Sequence, residues 1–174
     1  MRSRSKDRRT ALTRVDDFLT ALVVVAFMVL VLAYLPSGAP RSYSGAAHVI
    51  DGDSLVVGTV KTRLTGIDAP EMGQMCRLDG KLWRCGEAAR SALHEMIAGR
   101  DVTCEGEGRD VYGRVLAVCS VGGTALNERM VRDGWAVAYG GYAAQERIAK
   151  AGELGLWRSE FERPALWREM FRGT

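Results

Sequence analysis

Three short motifs place carboxylates and arginines where strands are expected to end. Residues 49–54 (VIDGDS) finish a predicted strand in an acidic turn that contains Asp53. Residues 63–71 (RLTGIDAPE) carry Arg63 along a second strand, with Asp68 and Glu71 at its end. Residues 110–114 (DVYGR) place an arginine at the start of a further strand. Carboxylate oxygens bind hard cations such as Ca²⁺ or Mg²⁺, and arginine forks bind phosphodiester oxygens.

The combination of these motifs is more informative than any one of them. Taken singly, each is also explained by a solvated turn or by surface charges at a strand end. Together they supply a cation site, two arginines and a free carboxylate. Those are the groups needed for phosphoryl transfer by electrostatic stabilisation.

The elements that must position these residues can be read from hydrophobic periodicity and turn residues. Strands are predicted at residues 46–50, 54–57, 62–67, 101–105 and 114–119, and helices at residues 87–98, 125–133 and 143–153. Thr124 is the expected N-cap of the second helix. The order of elements along the chain is three strands, a helix, two strands and then further helices. This order predicts an α+β domain built as a small five-stranded barrel that carries three helices.

In this order, the motifs resemble the thermonuclease (staphylococcal nuclease-like) family. The similarity runs over about residues 46–157 and includes residues 126–134 (LNERMVRDG) and 155–157 (GLW). The resemblance implies an OB-fold, that is, a five-stranded barrel with three α-helices. It also implies Ca²⁺-dependent cleavage of DNA and RNA that leaves a 3′-phosphate and a 5′-hydroxyl.

The resemblance further implies which residues hold the cation and activate water. Asp53 and Asp68 match the family's Ca²⁺ ligands. The backbone carbonyl of Ala69 would complete the protein ligands, and a carbonyl ligand tolerates the replacement of the prototype's Thr by Ala. Glu71 matches the carboxylate proposed as general base on the attacking water.

Substrate contacts are implied in the same way. Arg63 and Arg114 match the pair that stabilises the phosphorane-like transition state. Tyr112 matches a tyrosine that contacts the terminal phosphate. Tyr139 resembles one that lines the nucleotide pocket and can stack on a base, although core packing explains this tyrosine equally well.

Some positions depart from the family pattern. Ser54 replaces the commoner Thr and should matter little, whereas Val111 stands where the prototype has a phosphate-contacting Lys. Residues 1–17 hold six basic and three acidic groups, and the rest of the chain holds 18 of each. A folded part without net charge attracts nucleic acid weakly. We therefore expect weaker substrate binding than in the prototype, with the chemistry unchanged.

An apolar segment precedes the motifs. Residues 18–35 have Thr20 as their only polar member, and as a helix they would span roughly 27 Å, close to the thickness of a hydrocarbon core. We predict a transmembrane signal-anchor here, with the basic residues 1–17 as a cytoplasmic tail. Residues 37–39 (SGA) would suit a signal peptidase, so secretion after cleavage is the alternative, but Pro40 disfavours it.

This orientation predicts a single-pass protein of the inner (cytoplasmic) membrane with its catalytic domain in the periplasm or another extracytoplasmic space. The expected organisation after the anchor is a linker at residues 36–44, a nuclease domain at residues 45–160 and an aromatic tail at residues 161–174 that packs on the domain. We expect the domain to be monomeric and to need no organic cofactor.

The number and spacing of the cysteines favour disulfide bonds, and these form in an oxidising compartment. They are four in number and form no C-x-x-C pair, which disfavours zinc and leaves free buried thiols as the alternative to disulfides. Two predicted strands flank a turn near residue 111 or 112, and in that antiparallel register Cys104 faces Cys119. By elimination, Cys76 pairs with Cys85.

The leading interpretation is a membrane-tethered, Ca²⁺-dependent nuclease that acts on DNA or RNA, preferably single-stranded or flexible. One alternative is a binding module of the same fold without hydrolytic activity. Such modules generally lack the equivalents of Arg63, Glu71 or Arg114, all of which are present. Another is an accessory protein of envelope polysaccharide production, since some relatives carry such labels.

Overall fold

The structure, a computed structural model, describes residues 20–30 and 41–171. Residues 20–30 form an exposed helix, α1, in the first of two separate units of the chain, and residues 41–171 belong to the second unit. In the described parts of the chain, no helix has both the length and the apolar character needed to cross a membrane. The predicted cytoplasmic tail and both ends of the predicted span at residues 18–35 lie outside the described residues.

The second unit is built around one large β-sheet and several short strands. In chain order the described strands are β1 Arg41–Gly45, β2 Ala47–Val49, β3 Ser54–Val57, β4 Val60–Leu64, β5 Ile67–Asp68, β6 Cys76–Leu78, β7 Lys81–Trp83, β8 Val102–Arg109, β9 Val115–Val121, β10 Thr124–Ala125 and β11 Val137–Ala138. The large sheet has the order β1-β8-β9-β4-β3-β2, and β10 adds to β9. The β4–β9 pair is parallel, and the other pairs in this sheet are antiparallel.

The large sheet is strongly curved because β1 and β2 are two parts of one strand. Only Ala46 separates them, yet β1 pairs with β8 and β2 pairs with β3, at the two ends of the strand order. If β1 and β2 are counted as one strand, the curved sheet has five main strands. The prediction of an α+β domain is confirmed in the form of a half-barrel sheet with helices, whereas the complete five-stranded barrel stays a prediction.

Helices close the open side of the sheet. They are α2 Cys85–Ile97, α3 Leu126–Arg132, α4 Ala143–Ala151 and α5 Pro164–Phe171, with a 3₁₀ turn at Gly155–Arg158. Ala89, Leu93 and Ile97 of α2 are buried, as their helical spacing predicts. They join one core with the inward-facing residues of the sheet and α3, including Leu55, Leu64, Ile67, Val102, Leu126 and Met130.

Three parts of the local structure differ from the sequence prediction. Residues 41–44 of the predicted linker belong to β1, which hydrogen-bonds along β8. Thr124 lies in β10, and the N-cap of α3 is Ala125, without a side-chain cap, so the N-cap prediction is wrong. The segment between Glu71 and α2, for which no strand was predicted, contains the β6–β7 hairpin.

Both predicted disulfides are present. Cys104 and Cys119 are directly opposite each other in the β8–β9 register and are bonded. Cys76 is bonded to Cys85, which ties the start of the β6–β7 hairpin to the first residue of α2. The antiparallel register therefore identified the first pair correctly, and elimination identified the second.

A buried asparagine joins the sheet to α3 beside the motif that contains Arg63. The Asn127 side chain accepts a hydrogen bond from the N–H of Cys119 (2.9 Å) and donates to the carbonyls of Thr65 (2.9 Å) and Ala117 (3.1 Å). Asn127 is fully buried. Its amide thus satisfies three backbone groups, two of them in buried contacts and one, the Thr65 carbonyl, in a part-buried contact.

The two disulfides should stabilise the fold to different extents. They close loops with separations of 15 and 9 residues. Replacing Cys104 and Cys119 by Ala should lower the free energy of unfolding by about 3 kcal/mol, and replacing Cys76 and Cys85 by about 2.5 kcal/mol. Urea denaturation measures both values. A loss below about 1 kcal/mol for the first pair would contradict the prediction.

Asn127→Ala should destabilise the domain by about 2–4 kcal/mol, since it leaves three backbone groups in or next to the core without this partner. The matched control is Arg129→Ala on the same helix, because Arg129 is exposed and pairs with Asp133 at the surface. That variant should unfold within about 0.5 kcal/mol of the parental protein. Equal stabilities for the two variants would refute the role of the buried amide.

Candidate active site

The Asp53 side chain is held by the turn between β2 and β3. The N–H of Asp51 donates to the Ser54 carbonyl (3.2 Å), and the N–H of Asp53 donates to the Asp51 carboxylate (3.0 Å). Gly52 is required because a Cβ at this position would lie 2.6 Å from the Cβ of Ala69. The turn therefore fits closely against the segment after β5, and Asp53 is 3% exposed.

Arg63 joins the two predicted calcium ligands. It lies opposite Ser54 in the β3–β4 register, beside the turn that contains Asp53. Its Nη1 donates to Asp53 Oδ1 (2.7 Å), and its Nη2 donates to Asp68 Oδ1 (2.9 Å). The second oxygen of Asp53 accepts the N–H of Ala69 (2.9 Å). One guanidinium fork thus brings two buried carboxylates to the same place.

Arg114 reaches the same network through Ser54. Its Nε donates to Asp110 Oδ2 (2.7 Å), which orients the fork, and its Nη1 donates to Ser54 Oγ (2.9 Å). The Ser54 hydroxyl in turn donates to Asp53 Oδ1 (3.0 Å). The serine therefore supplies a hydroxyl bridge between an arginine and a carboxylate.

Glu71 is positioned mainly by its backbone. The N–H of Gln74 donates to the Glu71 carbonyl (2.8 Å), and the N–H of Glu71 donates to Gln74 Oε1 (3.3 Å). Gly86, at the start of α2, packs against the Glu71 carbonyl so closely that a Cβ on residue 86 would overlap that carbonyl. The Glu71 side chain is one-third exposed, so water can reach its carboxylate.

An arginine from the C-terminal helix completes the cluster. Arg168 Nη1 donates to Asp68 Oδ1 and to Glu71 Oε1, both at 2.9 Å, and Nη2 donates to Asp68 Oδ2 at 3.0 Å. Burial acts to lower the pKa of Arg168, but the hydrogen bonds to Asp68 and Glu71 outweigh it and raise that pKa. The guanidinium is therefore always charged.

The predicted charged residues form one connected network. Hydrogen bonds and ion pairs run in the order Arg114, Ser54, Asp53, Arg63, Asp68, Arg168, Glu71. The structure thus brings together all five charged residues that the motifs singled out. Their catalytic and metal-binding roles remain predictions.

The two predicted tyrosines flank this network. Tyr112 is 75% exposed, and its ring lies 5.5 Å from Arg114 Cζ. Tyr139 is half exposed and lines a cleft of about 550 Å³ together with Arg63, Asp68 and Arg168. Its N–H donates to the Gly66 carbonyl (3.0 Å), which fixes the backbone beside the site. Tyr139 is thus placed on the cleft wall and is not part of the core.

The oxygen atoms of these carboxylates are the type of metal ligand that a hard cation prefers. No cluster of three His, Cys, Asp or Glu side chains arranged to hold a metal ion occurs within residues 20–30 and 41–171. The predicted set is different, since it consists of two aspartates and the Ala69 carbonyl. Burial raises the pKa of Asp53 to about 7 although Arg63 acts to lower it. Carboxylate and carbonyl oxygens of this kind are donors that fit Ca²⁺.

Sequence reasoning missed three residues of this network. The hydroxyl of Ser54 bridges Arg114 and Asp53, a role that was not assigned to this position and that the hydroxyl of the commoner Thr could also perform. Asp110 was part of a motif without an assigned role, and its spacing of four residues from Arg114 could have suggested the pair. Nothing in the sequence pointed to Arg168, which lies 100 residues from Asp68.

Comparison with known proteins gives one family match. The family model described as "Staphylococcal nuclease homologue" matches residues 61–159. This range contains Arg63, Asp68, Glu71 and Arg114, and it begins after the turn that holds Asp53.

Individual relatives support the same assignment. The chain is 32% identical to "Micrococcal nuclease" of Shigella flexneri, over 86% of this chain and 93% of that protein. It is 32% identical to an "Uncharacterized endonuclease" of Haemophilus influenzae, over 69% of each chain. It is also 37% identical to "Succinoglycan biosynthesis protein ExoI" of Rhizobium meliloti, over 72% of this chain and 70% of that protein.

Proposed function

The chain belongs to the staphylococcal nuclease homologue family and is an endonuclease, and from this premise we propose that it is a membrane-tethered, Ca²⁺-dependent enzyme that cleaves DNA or RNA to products with a 3′-phosphate. The observation that carries the proposal is the connected network from Arg114 through Asp53, Arg63 and Asp68 to Glu71.

Arg63 and Arg114 would stabilise the transition state. Both guanidinium groups are oriented before substrate arrives, Arg63 by two aspartates and Arg114 by Asp110 and Ser54. Donors held in this way require little reorganisation when charge builds on the equatorial phosphate oxygens. Their planar forks match two of those oxygens at once, which a lysine cannot do.

Glu71 would act as the general base. Its carboxylate is partly exposed, and its backbone is fixed by Gln74 and by close packing against Gly86. It would accept a proton from water as the water oxygen bonds to phosphorus. The bond from phosphorus to the 5′ oxygen would then break, and this oxygen would take a proton from solvent water, leaving the 3′-phosphate and a 5′-hydroxyl.

Asp53 and Asp68, with the carbonyl of Ala69, would hold the cation. When bound, Ca²⁺ would supply positive charge against the phosphodiester oxygens. Two buried carboxylates that meet at one guanidinium support this part of the proposal. Asp53→Asn should accordingly raise the Ca²⁺ concentration needed for activity.

Substrate affinity would depend on local arginines and stacking. Residues 18–174 carry equal numbers of acidic and basic groups, so long-range attraction to a polyanion is small. The exposed ring of Tyr112 and the half-exposed ring of Tyr139 lie on either side of the network. Single-stranded or flexible nucleic acid, whose bases are free to stack, suits this arrangement.

The test is single-turnover cleavage of a labelled single-stranded oligonucleotide by the full-length protein, with Ca²⁺ or with a chelator. Arg114→Ala should lower the rate about 10²–10³-fold, equivalent to about 3–4 kcal/mol of transition-state stabilisation. Arg114→Lys should recover little of it. Glu71→Gln should lower kcat with little change in substrate binding.

The control is Arg129→Ala, which removes an exposed arginine on α3 that pairs with Asp133. It should cleave at the parental rate. If well-folded Arg63→Ala and Arg114→Ala variants also cleave at that rate, the roles proposed for these arginines are wrong. A parental protein that binds the oligonucleotide without cleaving it in millimolar Ca²⁺ would favour the binding module.

Envelope polysaccharide production is a second candidate role. It is favoured by the 37% identity to the succinoglycan biosynthesis protein of Rhizobium meliloti. The arginine and carboxylate network suits phosphodiester chemistry, and it contains no group specific for sugars. Loss of polysaccharide in a deletion strain, restored equally by the parental protein and by Arg114→Ala, would support this role and separate it from nuclease activity.

The membrane part of the proposal predicts topology. It rests on the apolar run at residues 18–35 and the six basic residues before it. Protease added to intact spheroplasts should digest the nuclease domain, while a cytoplasmic marker stays intact until the membrane is permeabilised. Full protection of the domain would show the opposite orientation, and recovery in the soluble fraction would indicate cleavage of the anchor.

A further inference from the structure

The C-terminal helix inserts a positive charge between the proposed calcium ligand and the proposed base. Arg168 contacts both oxygens of Asp68, at 2.9 and 3.0 Å, and Oε1 of Glu71 at 2.9 Å. Asp68 is nearly buried, and the Arg168 side chain is one-third exposed. Arg168 therefore covers Asp68 from the solvent side of the site.

The contacts of Arg168 leave Asp68 with few lone pairs for another ligand. Asp68 Oδ1 accepts hydrogen bonds from both Arg63 and Arg168, and Oδ2 accepts from Arg168. A hard cation needs at least one of these oxygens. A guanidinium and a Ca²⁺ ion that share them would also repel each other at short range.

The helix that carries Arg168 is anchored at its beginning and lightly attached along its length. The preceding segment is tied to the domain by the backbone pair of Glu160 with Arg77 and by Gln74 Nε2, which donates to the Glu162 carbonyl at 2.7 Å. Within α5, Pro164 is the buried residue. Leu166, Met170 and Phe171 are 49%, 57% and 52% exposed.

We propose that Arg168 is a built-in competitor of the divalent cation, and that α5 is a latch which cation binding displaces. The inference rests on the proposed function, since it takes Asp68 as a calcium ligand. With Arg168 docked, Asp53, Asp68 and Glu71 are compensated by two arginines. With Arg168 displaced, the same carboxylates present a larger negative charge, and Asp68 Oδ2 is open to the cation while Oδ1 keeps its hydrogen bond from Arg63.

The first experiment is calorimetric titration of the full-length protein with CaCl₂ in the absence of nucleic acid. Arg168→Gln should bind Ca²⁺ at least about tenfold more tightly than the parental protein, because a nearby unit charge is removed. Arg168→Lys, which keeps the charge but loses the bidentate contact, should be intermediate. Arg163→Gln is the charge-matched control, because Arg163 pairs with Glu146, outside the network, and it should leave the affinity near the parental value.

The second experiment is amide hydrogen exchange of the parental protein. Saturating Ca²⁺ should accelerate exchange across residues 164–171 and leave α2 unchanged, because the latch opens while the domain stays folded. Slower exchange in this segment, or equal Ca²⁺ affinities for the parental protein and Arg168→Gln, would overturn the latch.

The remaining outcomes separate the latch from the proposed function. If neither the parental protein nor Arg168→Gln binds millimolar Ca²⁺, the calcium assignment fails and the latch fails with it. If Arg168→Gln binds Ca²⁺ like the parental protein but has a lower kcat in saturating Ca²⁺, Arg168 acts on the substrate and the latch is wrong. Tighter Ca²⁺ binding with an undiminished kcat supports the latch.

Discussion

The buried carboxylate of Asp53 is the constraint on which the rest of the site depends. A charge with so little access to water is tolerated only if donors surround it, and here these are the Arg63 fork, the Ser54 hydroxyl and the N–H of Ala69. Each donor comes from a different segment. Satisfying one carboxylate therefore fixes the turn after β2, the face of β4 and the chain that leads to Glu71.

The residues that strand pairing brings together were predictable from the sequence. Asp53 follows a strand, Arg63 lies on the next, and the β3–β4 register places the arginine beside the turn. Cys104 and Cys119 were paired correctly because they lie on antiparallel strands joined by one turn, although an irregularity between Gly106 and Arg109 shifts the register by one residue. The alternation of apolar and polar residues along a strand and the residue types in turns are local signals. They were enough to predict contacts between neighbouring strands.

Contacts made by distant segments could not be read in this way. Arg168 meets Asp68 only because α5 folds back over the site, and no spacing rule connects residues that are 100 positions apart. The strand β1 was hidden because its Ser- and Gly-containing sequence is typical of a linker, and it is β8 that supplies its hydrogen bonds. Thr124 satisfies the local preference for an N-cap, yet pairing of β10 with β9 takes precedence.

The Cys76–Cys85 bond has a consequence for how the site is prepared for catalysis. It joins the β6–β7 hairpin to the start of α2, so the chain between Glu71 and Gly86 is a closed loop held at both ends. The conformational entropy of that loop is lost when the protein folds and oxidises. Substrate binding therefore does not have to order this segment again, and none of the ligand's interaction energy is lost in ordering it.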